Sequence, residues 1–149
     1  MATLQKVEDL GKHISEAAID LSDTGGAVLQ LSVSNTLPSS ETTDPTQDGN
    51  GNLSNVTDVS TNLNTPLTVS RGTNTQTNGA YAVVLADATI SASGGAGSQF
   101  QYIWVHKQTT GELIGYYDYG SALDLADGES LEIDFGDNGA GNGTLITIT

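Results

Sequence analysis

The chain has 149 residues, of which 36% are hydrophobic, and carries 18 acidic against 4 basic side chains, a formal net charge of −14. That charge repels duplex nucleic acid and anionic membranes, whose binding needs clustered cations, and the lack of cysteine removes disulfides and thiolate metal ligands. The length suits one domain, and the abundance of Gly, Ser, Thr, Asn and Asp points to short strands joined by polar turns around a thin core.

Residues 1–25 read as a helical segment. Leu4, Val7, Leu10, Ile14, Ala17, Ala18 and Leu21 recur at spacings of three and four, which places them on one helical face. Thr3 is a candidate cap, Gly25-Gly26 a stop, and Gly11 a weak point that costs up to about 1 kcal/mol relative to Ala. No basic stretch leads into an apolar run, so no secretory signal is expected and the glycosylation-type matches at Asn52, Asn55 and Asn142 read as chance. The apolar stripe has two readings, packing on the chain's own sheet or docking on a partner. Leu4, Val7, Leu10 and Ile14 are the candidate interface residues.

Residues 26–149 read as a β domain. Leu29, Leu31 and Val33 alternate with Gln30, Ser32 and Ser34, and Pro38 ends that strand. A long polar loop is expected over 39–64, with one short extended edge piece inside it around Val56–Ser60 and another after it at Leu67–Arg71. Tyr81, Val83 and Leu85 begin a meander that continues through Ala88, Ile90 and Ala92 to the turn at Gly94-Gly95-Ala96-Gly97. Phe100, Tyr102 and Trp104 occupy one face of the next strand and Ile103 and Val105 the other, the pattern of a central strand covered on both sides. Thr109-Thr110-Gly111 turns the chain into Leu113–Tyr119. Asp127-Gly128 predicts a hairpin between Ala122–Leu125 and Glu129–Phe135, and Ile146 and Ile148 mark the closing strand. The sum is a mainly β fold, an antiparallel β-sandwich or jelly-roll-like barrel of seven to eight strands with one N-terminal amphipathic helix.

Chemistry is sparse. Asp48, Asn50 and Asn52 alternate like the opening ligands of a Ca²⁺ loop, but Leu53 and Val59 stand where that loop needs Gly and Glu. Asp134, Asp137, Asn138 and Asn142 form a second acidic cluster in a Gly-rich turn, read as solvated, with weak cation binding as the alternative. His13 falls away from the apolar stripe, and His106 alternates with Tyr102 and Trp104. No Gly-x-Ser-x-Gly elbow or phosphate loop is present. The expectation is a protein without catalytic residues, cofactor or metal. Tyr102, Trp104, Tyr116, Tyr117 and Tyr119 gather on adjacent strands and read either as cross-strand packing or as a binding platform.

Several of these stretches resemble small proteins encoded in tailed-bacteriophage head gene clusters. They are Val28–Asn35 with Pro38, Tyr81–Ile90 with Asp87, Phe100-Gln101-Tyr102-Ile103, and above all Leu113-Ile114-Gly115-Tyr116-Tyr117-Asp118-Tyr119-Gly120 with Gly128-Glu129-Ser130-Leu131. The resemblance implies a virion structural protein of the capsid decoration, or cement, type. It would sit on the capsid exterior, bind the major capsid protein, and form a homo-oligomer, a trimer being favoured, with no nucleic-acid or membrane partner. Two other classes fit the same pattern: a tail or fibre module that binds a host glycan, and a cell-surface adhesin domain.

Overall fold

In a computed structural model the described residues are 3–7, 10–22, 25–37, 56, 59–136 and 141–149, the Lys12 side chain excepted. The fold is mainly β, built of antiparallel sheets with one short helix. Ten strands stand among the described residues, more than the seven to eight expected. They are β1 (Leu4–Lys6), β2 (Leu29–Ser34), β3 (Leu67–Val69), β4 (Thr75–Thr77), β5 (Ala80–Ala86), β6 (Ala88–Ser91), β7 (Phe100–Lys107), β8 (Leu113–Leu123), β9 (Ser130–Ile133) and β10 (Asn142–Ile148). The helix α1 spans Leu10–Ser15. It is not long and apolar enough to cross a membrane.

One sheet has the order β1-β8-β7-β2-β3, so β7 is central, as its two apolar faces require. Phe100, Ile103, Trp104 and Val105 are all fully buried. A second sheet has the order β10-β5-β4, and β6 pairs with β9 alone. A single residue, Asp87, separates β5 from β6. Its N–H donates to the Gly141 carbonyl (2.8 Å) and its Oδ1 accepts from the Phe135 N–H (3.3 Å), which ties the β9–β10 connection to that bend. Beyond β3 the chain crosses between sheets. The Ala86 N–H donates to the Ser70 carbonyl and the Gly72 N–H to the Val84 carbonyl, both at 2.9 Å, while Arg71 bridges Leu85. Side chains of both sheets enter one buried cluster, including Leu29, Leu31 and Val33 from β2, Val83 and Leu85 from β5, and Leu145 and Ile146 from β10.

The N-terminal segment departs from the helix expected over 1–25. Leu4–Lys6 is a strand, paired with Tyr117–Gly115 of β8, and the helix is confined to Leu10–Ser15. The open edge of β8 offers a strand ladder that a helix cannot use, and Gly11 weakens helix propagation at its second residue. Ala17 takes a left-handed conformation (φ 55°), and the Ala18 N–H returns to the His13 carbonyl at 2.8 Å, which stops the helix well before Gly25-Gly26. Of the three-and-four stripe, Val7, Leu10 and Leu21 are buried in the shared core, joined there by Ile19, which the stripe did not include.

Two further expectations change. Asp127-Gly128 does turn the chain, with the Glu129 N–H donating to the Ala126 carbonyl at 2.9 Å, but the strands on either side do not pair with each other. β8 ends at Leu123 beside β7, and β9 joins β6, because Leu125 turns into the core and its carbonyl accepts the Gly97 N–H. The loop expected over 39–64 falls largely outside the described residues, as does Pro38. Its last part is ordered along β6, where Leu63 bridges Ala92 and the Asn64 side chain bonds the backbone of Thr89 and Ser91.

Candidate protein interface

β1 and β10 are the outermost strands of their sheets, and among the described residues each has a single paired neighbour. A groove runs between them. Its first stretch, about 380 Å³, is lined by Leu4 and Lys6 of β1, by Tyr117, Asp134 and Phe135, and by Thr144–Thr147. The adjoining stretch, about 460 Å³, is lined by Lys6, Val7, Leu10, Gly11 and Ile14 on one bank and Ile146–Thr149 on the other. A third continues past Ile14 and Ile148 to Asp20, Leu21 and Tyr81. Backbone edges thus flank a largely apolar trough.

The sequence-derived interface residues all lie on this groove, with unequal exposure. Val7 and Leu10 are 2% and 4% exposed and serve the chain's own core, whereas Leu4 and Ile14 are half-buried and available to a partner. The opposite bank, Ile146 and Ile148 of β10, was read only as the closing strand. The Ile146–Thr149 alternation signalled a strand, but edge status follows from strand order, which alternation does not encode.

Two glycines shape the banks. A Cβ on Gly115 would sit 2.4 Å from the Gln5 carbonyl oxygen, so β1 can lie on β8 only because that side chain is absent. A Cβ on Gly143 would sit 2.2 Å from the Phe135 carbonyl carbon, so the β9–β10 connection crosses β10 on the same condition. At the far end, Arg71 Nη2 donates to the Leu21 and Ser22 carbonyls and Asn74 Nδ2 to the Leu21 carbonyl (2.8 Å), clasping the N-terminal segment to the second sheet.

Along the groove Asp134 stands at one end, Lys6 in the middle, and Asp20 with Arg71 beside it at the other end. The Ser22 N–H (2.9 Å from Oδ1) and hydroxyl hold the Asp20 carboxyl below its ordinary value, against the opposing effect of burial and with a lesser contribution from Arg71. Burial pushes the Tyr117 phenol far up, and the neighbouring Tyr119 and Asp134 add to it.

The aromatic strands are built as packing. Trp104 is fully buried, and its Nε1 donates to Ser34 Oγ at 2.8 Å. Tyr116 stacks tilted on Trp104 (4.9 Å, 42°) and meets Tyr102 edge-on (6.0 Å, 75°), so the two half-buried tyrosines present no common flat face to a sugar ring. Ser32 and His106, 3% and 1% exposed, pair at 2.8 Å across β2 and β7. His106 Nδ1 faces the Lys107 carbonyl at 3.0 Å, which makes it the protonated nitrogen and leaves Nε2 to accept the Ser32 hydroxyl. The pair cross-links two strands beneath the surface, out of reach of a substrate. His13 Nδ1 likewise serves structure, donating to the Leu113 carbonyl at 3.2 Å.

Among the described residues no three His, Asp or Glu side chains converge. The run Asp48, Asn50, Asn52 lies outside those residues, as do Asp137 and Asn138, while Asp134 Oδ1 accepts the Gly136 N–H at 2.7 Å. Set against protein-family models, curated proteins and solved structures, the chain gives no match.

Proposed function

We propose that the chain is a non-enzymatic structural protein of a tailed-bacteriophage virion, a decoration or cement protein that binds the major capsid protein on the capsid exterior. The observation that carries this reading is the apolar groove between two sheet edges on a chain of net charge −14. Apolar lining and strand edges that have one paired neighbour each among the described residues suit a protein partner, and the acidity suits an outer surface held away from packaged nucleic acid. The stretch with the strongest likeness to phage head proteins, Leu113–Gly120, lies in β8, the strand that carries the β1 bank of the groove.

In this reading the two sheets form a sandwich that closes as a jelly-roll-like barrel on one side, where residues 70–72 cross from β3 to β5, and stays open on the other. The N-terminal segment contributes one bank of the docking surface rather than a free helical arm. Assembly as a trimer on the shell would multiply weak contacts through avidity. Binding to many copies of the shell protein would stabilise the particle by mass action.

The test is reconstitution. Purified protein is mixed with phage shells assembled without a decoration protein, and the mixture is sedimented and heated. Co-sedimentation at a fixed stoichiometry with a raised disruption temperature is the expected outcome. Saturating protein that stays in the supernatant would refute the proposal.

A further inference from the structure

We propose that the groove between β1 and β10 is a receptor for one β-strand of the partner, which inserts antiparallel to both edges and carries basic flanking residues. The strand order supplies the main argument. From β1 the ladder passes to β8, β7, β2, then β3 and its continuation through 70–72, then β5 and β10. Every one of those pairings is antiparallel. Six reversals bring the chain direction back to its start, so β1 and β10 run the same way. They cannot close on each other without a parallel pairing that breaks the pattern. A single strand running opposite to both completes an all-antiparallel closed array, and closure removes both edges.

The lining specifies the occupant. On the β10 bank Ile146 and Ile148 are buried or half-buried while Thr147 and Thr149 are exposed, and on the other bank Leu4 and Ile14 are half-buried. A strand inserted beside β10 repeats the β10 alternation, one side chain toward the core and the next toward water. Backbone pairing at the two edges and apolar side chains in the trough are the marks of strand addition. Asp134 at one end of the groove, within a chain of net charge −14, favours Lys or Arg flanking the inserted strand. A second copy of this chain brings the same excess of acid and is disfavoured as the occupant.

The proposal uses the capsid reading only to name the partner, and the experiment separates the two. Amide hydrogen exchange is followed over residues 4–7 and 142–149 in the full chain alone. It is then followed with the synthetic peptide Lys-Val-Thr-Val-Thr-Val-Lys, with its Glu-flanked counterpart, and with undecorated shells. The expected result is slowed exchange on both banks with the basic peptide and with shells, and roughly tenfold weaker binding of the acidic peptide. Protection of the banks by the basic peptide without shell binding would keep the strand receptor and overturn the capsid reading. Shell binding with unchanged exchange on both banks would overturn the receptor and keep the capsid reading. Concentration-dependent protection in the chain alone would put a second copy in the groove and overturn the choice of occupant. An unchanged pattern throughout would overturn the proposal.

Discussion

Replacing Gly115 with Ala tests how β1 is held against β8, and hence one bank of the groove. The added Cβ would lie 2.4 Å from the Gln5 carbonyl oxygen and 3.1 Å from Leu4 Cδ1. The first contact is roughly 1 Å inside ordinary van der Waals distance and involves backbone, which cannot rotate aside. β1 must therefore move away, against the pairings Leu4–Tyr117, Gln5–Tyr116 and Lys6–Gly115. Overpacking of this kind costs about 1–3 kcal/mol, and the three-residue length of β1 sets a ceiling, since the strand can peel off and leave the rest folded. Gly11→Ala is the matched control: nothing lies within 4 Å of its Cβ, and in a helix Ala is favoured by up to about 1 kcal/mol. Urea denaturation followed by Trp104 fluorescence, with hydrogen exchange at residues 4–7, measures both variants. Gly115→Ala should lose about 1–3 kcal/mol and expose the β1 amides, whereas Gly11→Ala should be neutral or stabilised. Wild-type stability and unchanged β1 exchange in Gly115→Ala would refute this account of the bank.

Ser32→Ala should destabilise the fold by about 1–3 kcal/mol in denaturant, because it leaves His106 Nε2 buried without its hydroxyl partner. Tyr117 should keep its proton in the folded state well above the ordinary phenol value of 10.0. Its pKa is raised by folding, so the stability it contributes is complete below pH 10.0 and is lost as pH rises beyond it, where the unfolded chain sheds the proton more readily. Absorbance of tyrosinate should therefore show Tyr117 ionising together with loss of structure, and a free titration near pH 10 in folded protein would contradict the burial assigned to it. Ile148→Lys should abolish co-sedimentation with shells while the melting temperature stays near wild type, since Ile148 is only half-buried on the groove bank. Retained binding would exclude that bank from the contact.

The sequence revealed strands more readily than their partners. Phe100–Val105, apolar on both faces, pointed to a central strand, and β7 is central. Asp127-Gly128 correctly marked a turn, but a turn motif specifies the local backbone and not which neighbour the next strand joins, and β9 pairs with β6. The stripe from Leu4 to Leu21 has helical spacing, yet its first residues face Tyr117 across a ladder whose existence depends on the distant open edge of β8. Alternation separated Ser32 and Ser34 from the apolar positions of the same strand. They are buried because Trp104 and His106 supply partners from β7, and such partners are invisible without the register. The groove itself was half legible. Leu4, Val7, Leu10 and Ile14 marked one bank, while the other depends on β10 being left at an edge.

The proposed docking on a virion exterior through the groove between β1 and β10 is decided by an image of the intact particle. A reconstruction at side-chain detail should show the protein on the outside of the capsid, with an extended segment of the shell protein lying between Leu4–Lys6 and Ile146–Thr149, antiparallel to both. Density for the protein inside the shell, on the tail alone, or on the exterior with that groove facing solvent would contradict the account.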